Sequence, residues 1–195
     1  MNFNKFDQLG EKLYFTLDDV CAIFGVARAS ARVACSRYVR NGLFIRVKND
    51  FYVLKRNLKN ISREDLLRLA NFAQTPSYVS FLTALAYHDI TTQMVRGVVD
   101  SACVKRSVEY DINGNQFNFY RLKQGLYSGF EKINNIFIAM PEKALLDSFY
   151  FISMGKYSLD MDALDMSKIN NRKLKNMLKI FPQKTKELVK KICKI

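Results

Sequence analysis

Arginines recur at a regular spacing in one short stretch of the chain. Arg28, Arg32, Ser36 and Arg40 follow one another at intervals of four residues, and Arg37 lies beside them. In a helix, side chains at this interval are neighbours on the surface. Guanidinium groups in such a row can bind phosphates or pair with the edge of guanine. Most charged stripes are only solvated helix faces, but the absence of any acid from positions 20–49 favours contact with nucleic acid.

A helix-turn-helix pattern surrounds these arginines. Thr16 followed by Asp19 is the signature of a helix start, and Gly25 can end that helix because glycine tolerates positive φ. A second helix is predicted from about Arg28 to Asn41, stopped by Gly42. The pattern requires a small residue before the turn glycine and buried side chains at fixed distances from it. Cys21 meets the first requirement, and the predicted buried residues are Val20, Phe24, Val26, Ala31 and Ala34.

Two alternating β-runs follow, Leu43–Val47 and Phe51–Leu54, joined by a Lys-Asn-Asp turn. They predict the wing of a winged helix-turn-helix domain over residues 1–60. A first helix at 3–13 is expected behind this domain, and Lys55–Asn60 is expected to be a connector. The candidate DNA-binding residues are Arg28, Ser30, Arg32, Ser36, Arg37, Arg40, Arg46, Lys48 and Asn49.

The charge distribution also favours a polyanionic partner. The formal net charge is +13. Residues 1–60 carry 11 basic and 5 acidic side chains, residues 61–150 carry 9 of each, and residues 151–195 carry 11 and 4. No apolar run approaches the roughly 20 residues of a membrane helix, and the N-terminus has no apolar signal region. We therefore expect a cytoplasmic protein without membrane contact.

Cysteine and histidine do not suggest a metal or cofactor site. Cys21, Cys35, Cys103 and Cys193 are far apart in the sequence, and we expect thiols rather than disulfides or zinc ligands. His88 is the single histidine and is expected at a helix end with a hydrogen-bond partner. We predict no metal and no cofactor.

Residues 61–195 are predicted to form a second domain, which makes the fold class α+β. A connecting helix is expected over 61–74, and Thr75-Pro76 is expected to start another helix. Asn113-Gly114 predicts a hairpin in a small, mostly antiparallel sheet packed with helices. Ile136–Met140 is expected to be a central strand, and Pro141 to open a helix. The lysine-rich tail, 157–195, is expected to be helical, either as a solvated surface or as a second nucleic-acid contact.

Two segments of this second domain resemble a known protein family. Tyr78–His88 resembles the helix that opens the antitoxin domain of AbiEi proteins, and Ile138–Asp147 resembles a later part of that domain. The most specific piece is Pro141–Asp147. Together with the hairpin and the N-terminal pattern, the resemblance covers nearly the whole chain, although the lysine-rich tail matches only in being helical.

The resemblance implies an antitoxin of a bacterial type IV toxin–antitoxin, or abortive-infection, system. Its N-terminal domain would bind inverted repeats in double-stranded DNA at its own promoter and repress transcription. Its C-terminal domain would counteract a nucleotidyltransferase-like toxin without forming a stable complex. Some relatives act only as regulators, so a stand-alone regulator remains an alternative. Two half-sites could be occupied by monomers or by a weak dimer.

Two other classes of function compete with this interpretation. A magnesium-dependent nuclease could use Asp100, Glu109 and Asp111, but such a site also needs a lysine where Asp111 stands. Glu142 suits a helix start, and Lys143 is expected in solvent or in a local ion pair. We therefore predict that the protein is not an enzyme. The second alternative is a protein-interaction module that uses the winged helix for protein contacts.

Overall fold

The structure, a computed structural model, describes residues 3–93 and 96–193, with the backbone alone for Phe3. Its contacts divide the chain into two compact units. The first comprises Met1–Leu69 and Asp111–Gly114, and the second comprises Ala70–Tyr110 and Asn115–Ile195. Both units contain helices and strands, which confirms the mixed α and β composition predicted from the sequence.

The first unit consists of short helices around a three-stranded antiparallel sheet. Its helices are α1 (Phe3–Gly10), α2 (Leu17–Phe24), α3 (Arg28–Arg40), α4 (Lys55–Leu58) and α5 (Arg63–Ala73), the last of which continues into the second unit. Its strands are β1 (Phe15–Thr16), β2 (Phe44–Lys48) and β3 (Phe51–Leu54), in the order β1-β3-β2.

Local signals define both ends of α2 as predicted. Thr16 is the N-cap, and its side chain accepts a hydrogen bond from the Asp19 N–H while the Asp19 carboxylate accepts one from the Thr16 N–H. Gly25 ends the helix with φ 65°, and its N–H donates to the Cys21 carbonyl. The chain then enters α3 within three residues, so the turn is short.

The core between α2, α3 and the sheet includes part of the predicted buried set. Val20 and Ala31 are fully buried, as expected. Three further positions are only partly buried: Cys21, Phe24 and Ala34. The prediction for Val26 is wrong, because this side chain is 38% exposed. Val26 lies in the turn, where the backbone has left α2 and the buried side of α3 has not yet begun.

The two predicted β-runs form a hairpin, with β2 and β3 paired antiparallel and a bulge between Arg46 and Lys48. The expected connector after it is instead partly helical, since α4 follows β3 directly. Leu58 is buried, and the Asn57 side chain donates to the Gly10 carbonyl at 2.8 Å. Packing against α1 therefore orders this polar segment. The connecting helix predicted over 61–74 is α5, and Ser62 Oγ caps its start by accepting a hydrogen bond from the Asp65 N–H.

The second unit is built on a sheet with the strand order β6-β7-β5-β4-β9-β8. These strands are β4 (Ser77–Val79), β5 (Val98–Cys103), β6 (Val108–Ile112), β7 (Asn115–Arg121), β8 (Phe130–Ile133) and β9 (Ile136–Ala139). The accompanying helices are α6 (Phe81–Tyr87), α7 (Pro141–Ile152), α8 (Asn171–Leu178) and α9 (Gln183–Cys193). Within the described ranges, no helix combines the length and apolar character needed to cross a lipid bilayer.

The sheet contains antiparallel pairs, as predicted, but also two parallel pairs that the sequence did not indicate. β4 pairs antiparallel with β5, and β8 with β9, but β5 pairs parallel with β7, and β4 with β9. The parallel pair β5–β7 arises because the predicted hairpin folds back and places its second strand beside β5. Asn113 and Gly114 form the turn with φ 57° and 80°, as the sequence predicts. The predicted strand at Ile136–Met140 is β9, which has a neighbour on each side.

The predicted helix start at Thr75-Pro76 is wrong. Ser77–Val79 is strand β4, and helix α6 begins only at Phe81. β4 pairs with β5 along its whole length on one side and with β9 at Val79 on the other. These long-range hydrogen bonds outweigh the local helix signal. His88 lies at the end of α6, and its Nε2 is 2.8 Å from the Ala139 carbonyl, which confirms the expected helix-end role.

The tail is helical only in part. Pro141 begins α7 as predicted. Residues 157–165 carry no helix, and a short 3-10 helix, Met166–Lys168, precedes α8. The side chain of Asn170 caps α8 by accepting from the Lys173 N–H. Leu174, Leu178, Phe181 and Val189 are buried, whereas Ile192 near the end of α9 is exposed.

Candidate nucleic-acid interface

The side of α3 that faces away from the core carries four exposed residues: Ala29, Val33, Ser36 and Arg40. The opposite side carries Ala31 and Cys35, which are both fully buried. Each residue of an α-helix advances by about 100°, so residues two positions apart lie on nearly opposite sides. Val33 lies two positions from each of the buried residues and is 69% exposed. It therefore marks the middle of the outward side.

The predicted row of arginines winds around α3 instead of following one face. Each interval of four residues advances about 40° beyond a full turn, so the three steps from Arg28 to Arg40 add up to about 120°. Arg28 lies nearest the buried side, Arg32 lies on the flank, and Arg40 lies on the outward side. Arg37 and Ser30 lie on the opposite flank, and both are exposed. Arginines thus border the outward side of α3 on both flanks.

Two carboxylates pair with the arginines of the first flank. Asp18 accepts a hydrogen bond from Nη1 of Arg28. Asp50 Oδ2 lies 2.8 Å from Arg28 Nη2 and 3.8 Å from Arg32 Nη2. The side chains of Arg28 and Arg32 are 50% and 62% exposed, so these pairs stabilise the fold by at most about 1 kcal/mol each. The cluster of two arginines and two aspartates has a net charge of zero.

The β2–β3 turn positions Asp50 for this contact. Asp50 has φ 60°, and its carbonyl accepts a hydrogen bond of 3.0 Å from the Leu17 N–H at the start of α2. The turn is therefore attached to the first turn of α2, beside Arg28. Sequence reasoning missed both acids, since Asp18 and Asp50 lie just outside the acid-free stretch 20–49. Only the fold brings them against the arginines.

Within the part of the chain that the structure describes, the arginines on the other flank and at the end of α3 have no acidic partner. The Arg37 guanidinium lies 5.3 Å from the centroid of the Tyr38 ring. Arg37 and Arg40 are exposed and form no ion pair with any residue in the described ranges. Their positive charges are therefore available to an anionic ligand.

The candidate residues of the hairpin are close to each other. Arg46 is exposed and donates a hydrogen bond to the neutral side chain of Asn49. The Lys48 ammonium lies 4.5 Å from the centroid of the Phe51 ring, which supports its aliphatic stem. Asn49 is neutral, so this contact does not compensate the positive charge of Arg46. The hairpin therefore presents a second positively charged segment in the same unit.

An aromatic core holds α3 and the hairpin in place. Phe15 and Phe44 have ring centroids 4.8 Å apart, and Phe44 also packs against Tyr38 of α3 at 5.0 Å. Cys35 lies in this core, and burial raises the pKa of its thiol to about 11. The four cysteines are free thiols, with Cys35 and Cys103 buried and the others half-buried.

The segment Pro141–Asp147 is internal to the second unit. The Lys143 ammonium and the Asp147 carboxylate form a buried ion pair, which confirms the local pair expected for Lys143 and excludes its solvent position. Asp147 Oδ2 also accepts hydrogen bonds from Tyr78 Oη at 2.9 Å and from Ser80 Oγ at 2.8 Å. Burial lowers the pKa of Lys143 and raises that of Asp147, and each partner opposes the shift of the other.

Glu142 is buried as well, and its carboxylate accepts a hydrogen bond of 2.9 Å from the Asn170 N–H. It therefore anchors the start of α8 in addition to lying in the first turn of α7. With Glu142, Lys143 and Asp147 all occupied by internal partners, this segment is a structural element of the second unit.

The carboxylates considered for a nuclease do not converge. Asp100 on β5 is buried, and it accepts hydrogen bonds from Tyr157 at 2.8 Å and from Asn118 at 2.9 Å. Glu109 is exposed on β6, which β7 separates from β5. Asp111 accepts from the Gly114 N–H at the hairpin turn. Among residues 3–93 and 96–193, no cluster of acidic, cysteine or histidine side chains could hold a metal ion.

The lysines of the tail border an open cleft between α8 and α9. The cleft has a volume of about 310 Å³ and is lined by Lys175, Leu178, Lys179, Lys186 and Lys190. Lys179 donates to the Asn176 side chain at 3.1 Å. Four lysines around one apolar residue form a positively charged surface on the second unit, separate in the sequence from the arginines of α3.

Comparisons with known proteins give this chain no family assignment, because no protein-family model matches it and no protein of curated function matches its sequence.

Proposed function

We propose that the first unit is a winged helix-turn-helix that binds double-stranded DNA, with α3 in the major groove and the β2–β3 hairpin as the wing. The observation that carries this proposal is the uncovered side of α3, centred on Val33 and bordered by arginines on both flanks. An α-helix fits the major groove, which is about 12 Å wide. The guanidinium groups of Arg37 on one flank and of Arg46 on the hairpin can then reach phosphates.

The candidate residues have different roles in this proposal. Arg37 on its flank and Arg46 on the wing contact phosphates, and Arg40 and Ser36 lie near base edges. Additional contacts with the DNA backbone are proposed for Lys48, Asn49 and Ser30. Arg28 and Arg32 are held by Asp18 and Asp50, so they contribute less charge to DNA binding than their exposure suggests.

The biological role that we propose is transcriptional regulation. The resemblance to AbiEi proteins supports an autorepressor that binds promoter inverted repeats, and an antitoxin activity in the second unit against a nucleotidyltransferase-like toxin. Co-expression with a nucleotidyltransferase encoded by the adjacent gene tests the antitoxin part. If such a toxin remains fully active in the presence of this protein, the stand-alone regulator is the better description.

Fluorescence anisotropy with DNA tests the main proposal. The full chain is titrated against duplexes from its own promoter region and against shuffled duplexes of the same composition. We expect tighter binding to the promoter duplex. Arg37→Ala/Arg40→Ala should weaken this binding about fivefold or more, because the base contact proposed for Arg40 contributes about 1–3 kcal/mol and loss of the phosphate contact of Arg37 adds to it.

The control variant removes the same charge from another surface. Lys105→Ala/Lys156→Ala truncates two exposed lysines of the second unit and should leave promoter affinity unchanged. Equal losses in both double variants would mean that only net charge matters, which contradicts a defined interface on α3. Binding to a protein partner but not to DNA, with the arginine variant defective, would instead favour the protein-interaction module.

A further inference from the structure

We infer that Val33 is a specificity-determining residue that contacts the C5-methyl group of a thymine. This inference rests on the proposed insertion of α3 into the major groove and specifies one base that the protein would recognise there. The inferred role of Val33 is discrimination between DNA sequences, whereas the arginines provide electrostatic attraction to the DNA.

Neither folding nor helix stability explains a valine at position 33. Its side chain is 69% exposed, whereas the other large apolar side chains exposed in the described residues range from 36% to 53%. A β-branched residue also has a lower helix propensity than alanine, lysine or glutamate. The position therefore exposes apolar surface without any gain to the fold.

The surroundings of Val33 suit a DNA base rather than a protein surface. Ala29 and Ser36, about one turn away on either side, are small, so Val33 projects between them. Arg32 and Arg37 lie on the two flanks. A single exposed side chain ringed by arginines offers far less than the roughly 1,000 Å² of a stable protein interface, and a second copy of the chain would bring like charges together.

The thymine C5-methyl is the apolar group that the major groove displays at the edge of an A·T pair. With α3 seated in the groove as proposed, the outward residue at its middle approaches the base edges most closely. The geometry of α3 thus brings the two methyl groups of Val33 towards the floor of the groove.

A uracil scan combined with truncation of Val33 tests this inference. The tightest duplex is first selected from a random-sequence pool with the full chain. Each thymine is then replaced by uracil, which removes one methyl group without changing base pairing. We expect one of these replacements to weaken binding of the wild-type protein about fourfold. This corresponds to about 0.8 kcal/mol, the hydrophobic contribution of one buried methylene-sized group. Val33→Ala should bind the thymine and uracil duplexes equally at that position.

Two further variants distinguish a methyl contact from a general defect. Val33→Thr keeps one methyl group and should retain part of the preference for thymine. Val26→Ala truncates another exposed valine, in the turn before α3, and should retain all of it.

A full preference for thymine in Val33→Ala, or a change of oligomeric state in that variant, would overturn the inference while leaving DNA binding intact. Failure to select any sequence, or equal binding of all duplexes, would instead contradict the proposed function itself.

Discussion

The ion pairs around Arg28 lead to a quantitative prediction about the salt dependence of DNA binding. Arg28 and Arg32 lie against Asp18 and Asp50, so this group carries no net charge before DNA arrives. Each phosphate that a protein neutralises releases counterions and contributes about −0.9 to the slope of log affinity against log salt concentration. Arginines that are already paired should not contribute to this slope.

The structure gives two different slopes for the two possibilities. If only Arg37 and Arg46 neutralise phosphates, the slope is about −1.8 per domain. If Arg28 and Arg32 also do so, the slope is about −3.6 per domain. Lys48 adds the same amount to either value. The difference amounts to about twelvefold in affinity between 50 and 200 mM salt, which follows from about −1.8 in slope.

Anisotropy titrations at several salt concentrations with three variants measure these contributions separately. Asp18→Asn/Arg28→Gln preserves net charge and should leave the slope unchanged. Arg37→Gln should flatten it by about 0.9. Asp50→Asn should make it steeper by up to about 0.9, because an arginine is released from its partner. Asparagine tolerates the positive φ at position 50, so the turn is expected to keep its shape.

The result for the charge-conserving variant Asp18→Asn/Arg28→Gln shows whether Arg28 binds phosphate in the complex. If Asp18→Asn/Arg28→Gln flattens the slope as much as Arg37→Gln does, Arg28 leaves its aspartates and binds phosphate in the complex. The roles assigned to the two flanks of α3 would then be wrong. Circular dichroism of each variant checks that helix content is unchanged.

Three further predictions concern stability and chemistry. Lys143→Met should lower the free energy of unfolding by about 3–5 kcal/mol, because it leaves the Asp147 carboxylate buried without its cation. In urea denaturation, the double variant Lys143→Met/Asp147→Asn should lose less unfolding free energy than the sum of the losses in the two single variants. Burial raises the pKa of Cys35 to about 11, so this thiol should react with iodoacetamide at neutral pH only as fast as the domain unfolds. The half-buried Cys21 should react faster. Equal rates of modification by mass spectrometry would contradict the placement of Cys35 in the core. Burial raises the pKa of Asp100, so the folded chain binds a proton at this carboxyl group more tightly than the unfolded chain does. The stability of the wild type relative to Asp100→Asn should therefore increase as the pH falls from about 7 to about 4. A decrease in this relative stability would exclude a raised pKa.

Local sequence signals predicted the element boundaries best. The cap at Thr16, the left-handed Gly25, the Asn113-Gly114 turn and the proline at the start of α7 all have the expected structures. In each case the determining interaction joins residues within one turn of chain, so the sequence pattern contains nearly all of the physical information.

Predictions failed where distant residues determine the structure. The segment around Tyr78 has a helix-like apolar pattern, but hydrogen bonds to β5 and β9 make it a strand. The mixed topology of the sheet likewise depends on which hairpin strand lies beside β5. Val26 satisfied a spacing rule, yet its exposure depends on the path of the turn after Gly25.

The candidate site was predicted in composition but not in arrangement. Spacing alone placed the arginines on α3, because helical neighbours are fixed by helix geometry. It did not show that a row with an interval of four winds away from one face. It also could not show that the hairpin turn carries Asp50 to the flank of α3, since that contact depends on the hydrogen bond between Asp50 and Leu17.

The two acids give the proposed interface a division of roles that a purely basic helix would lack. Non-specific affinity for DNA depends on the number of neutralised phosphates, whereas discrimination depends on contacts with base edges. The pairs of Arg28 and Arg32 with Asp18 and Asp50 lower the number of phosphates that the domain can neutralise. They do not involve the outward residues of α3. If α3 binds DNA as proposed, the ratio of specific to non-specific binding increases, because Val33, Ser36 and Arg40 keep their access to the bases. For the proposed regulator, which must find one promoter among many other sites, this ratio matters more than affinity alone.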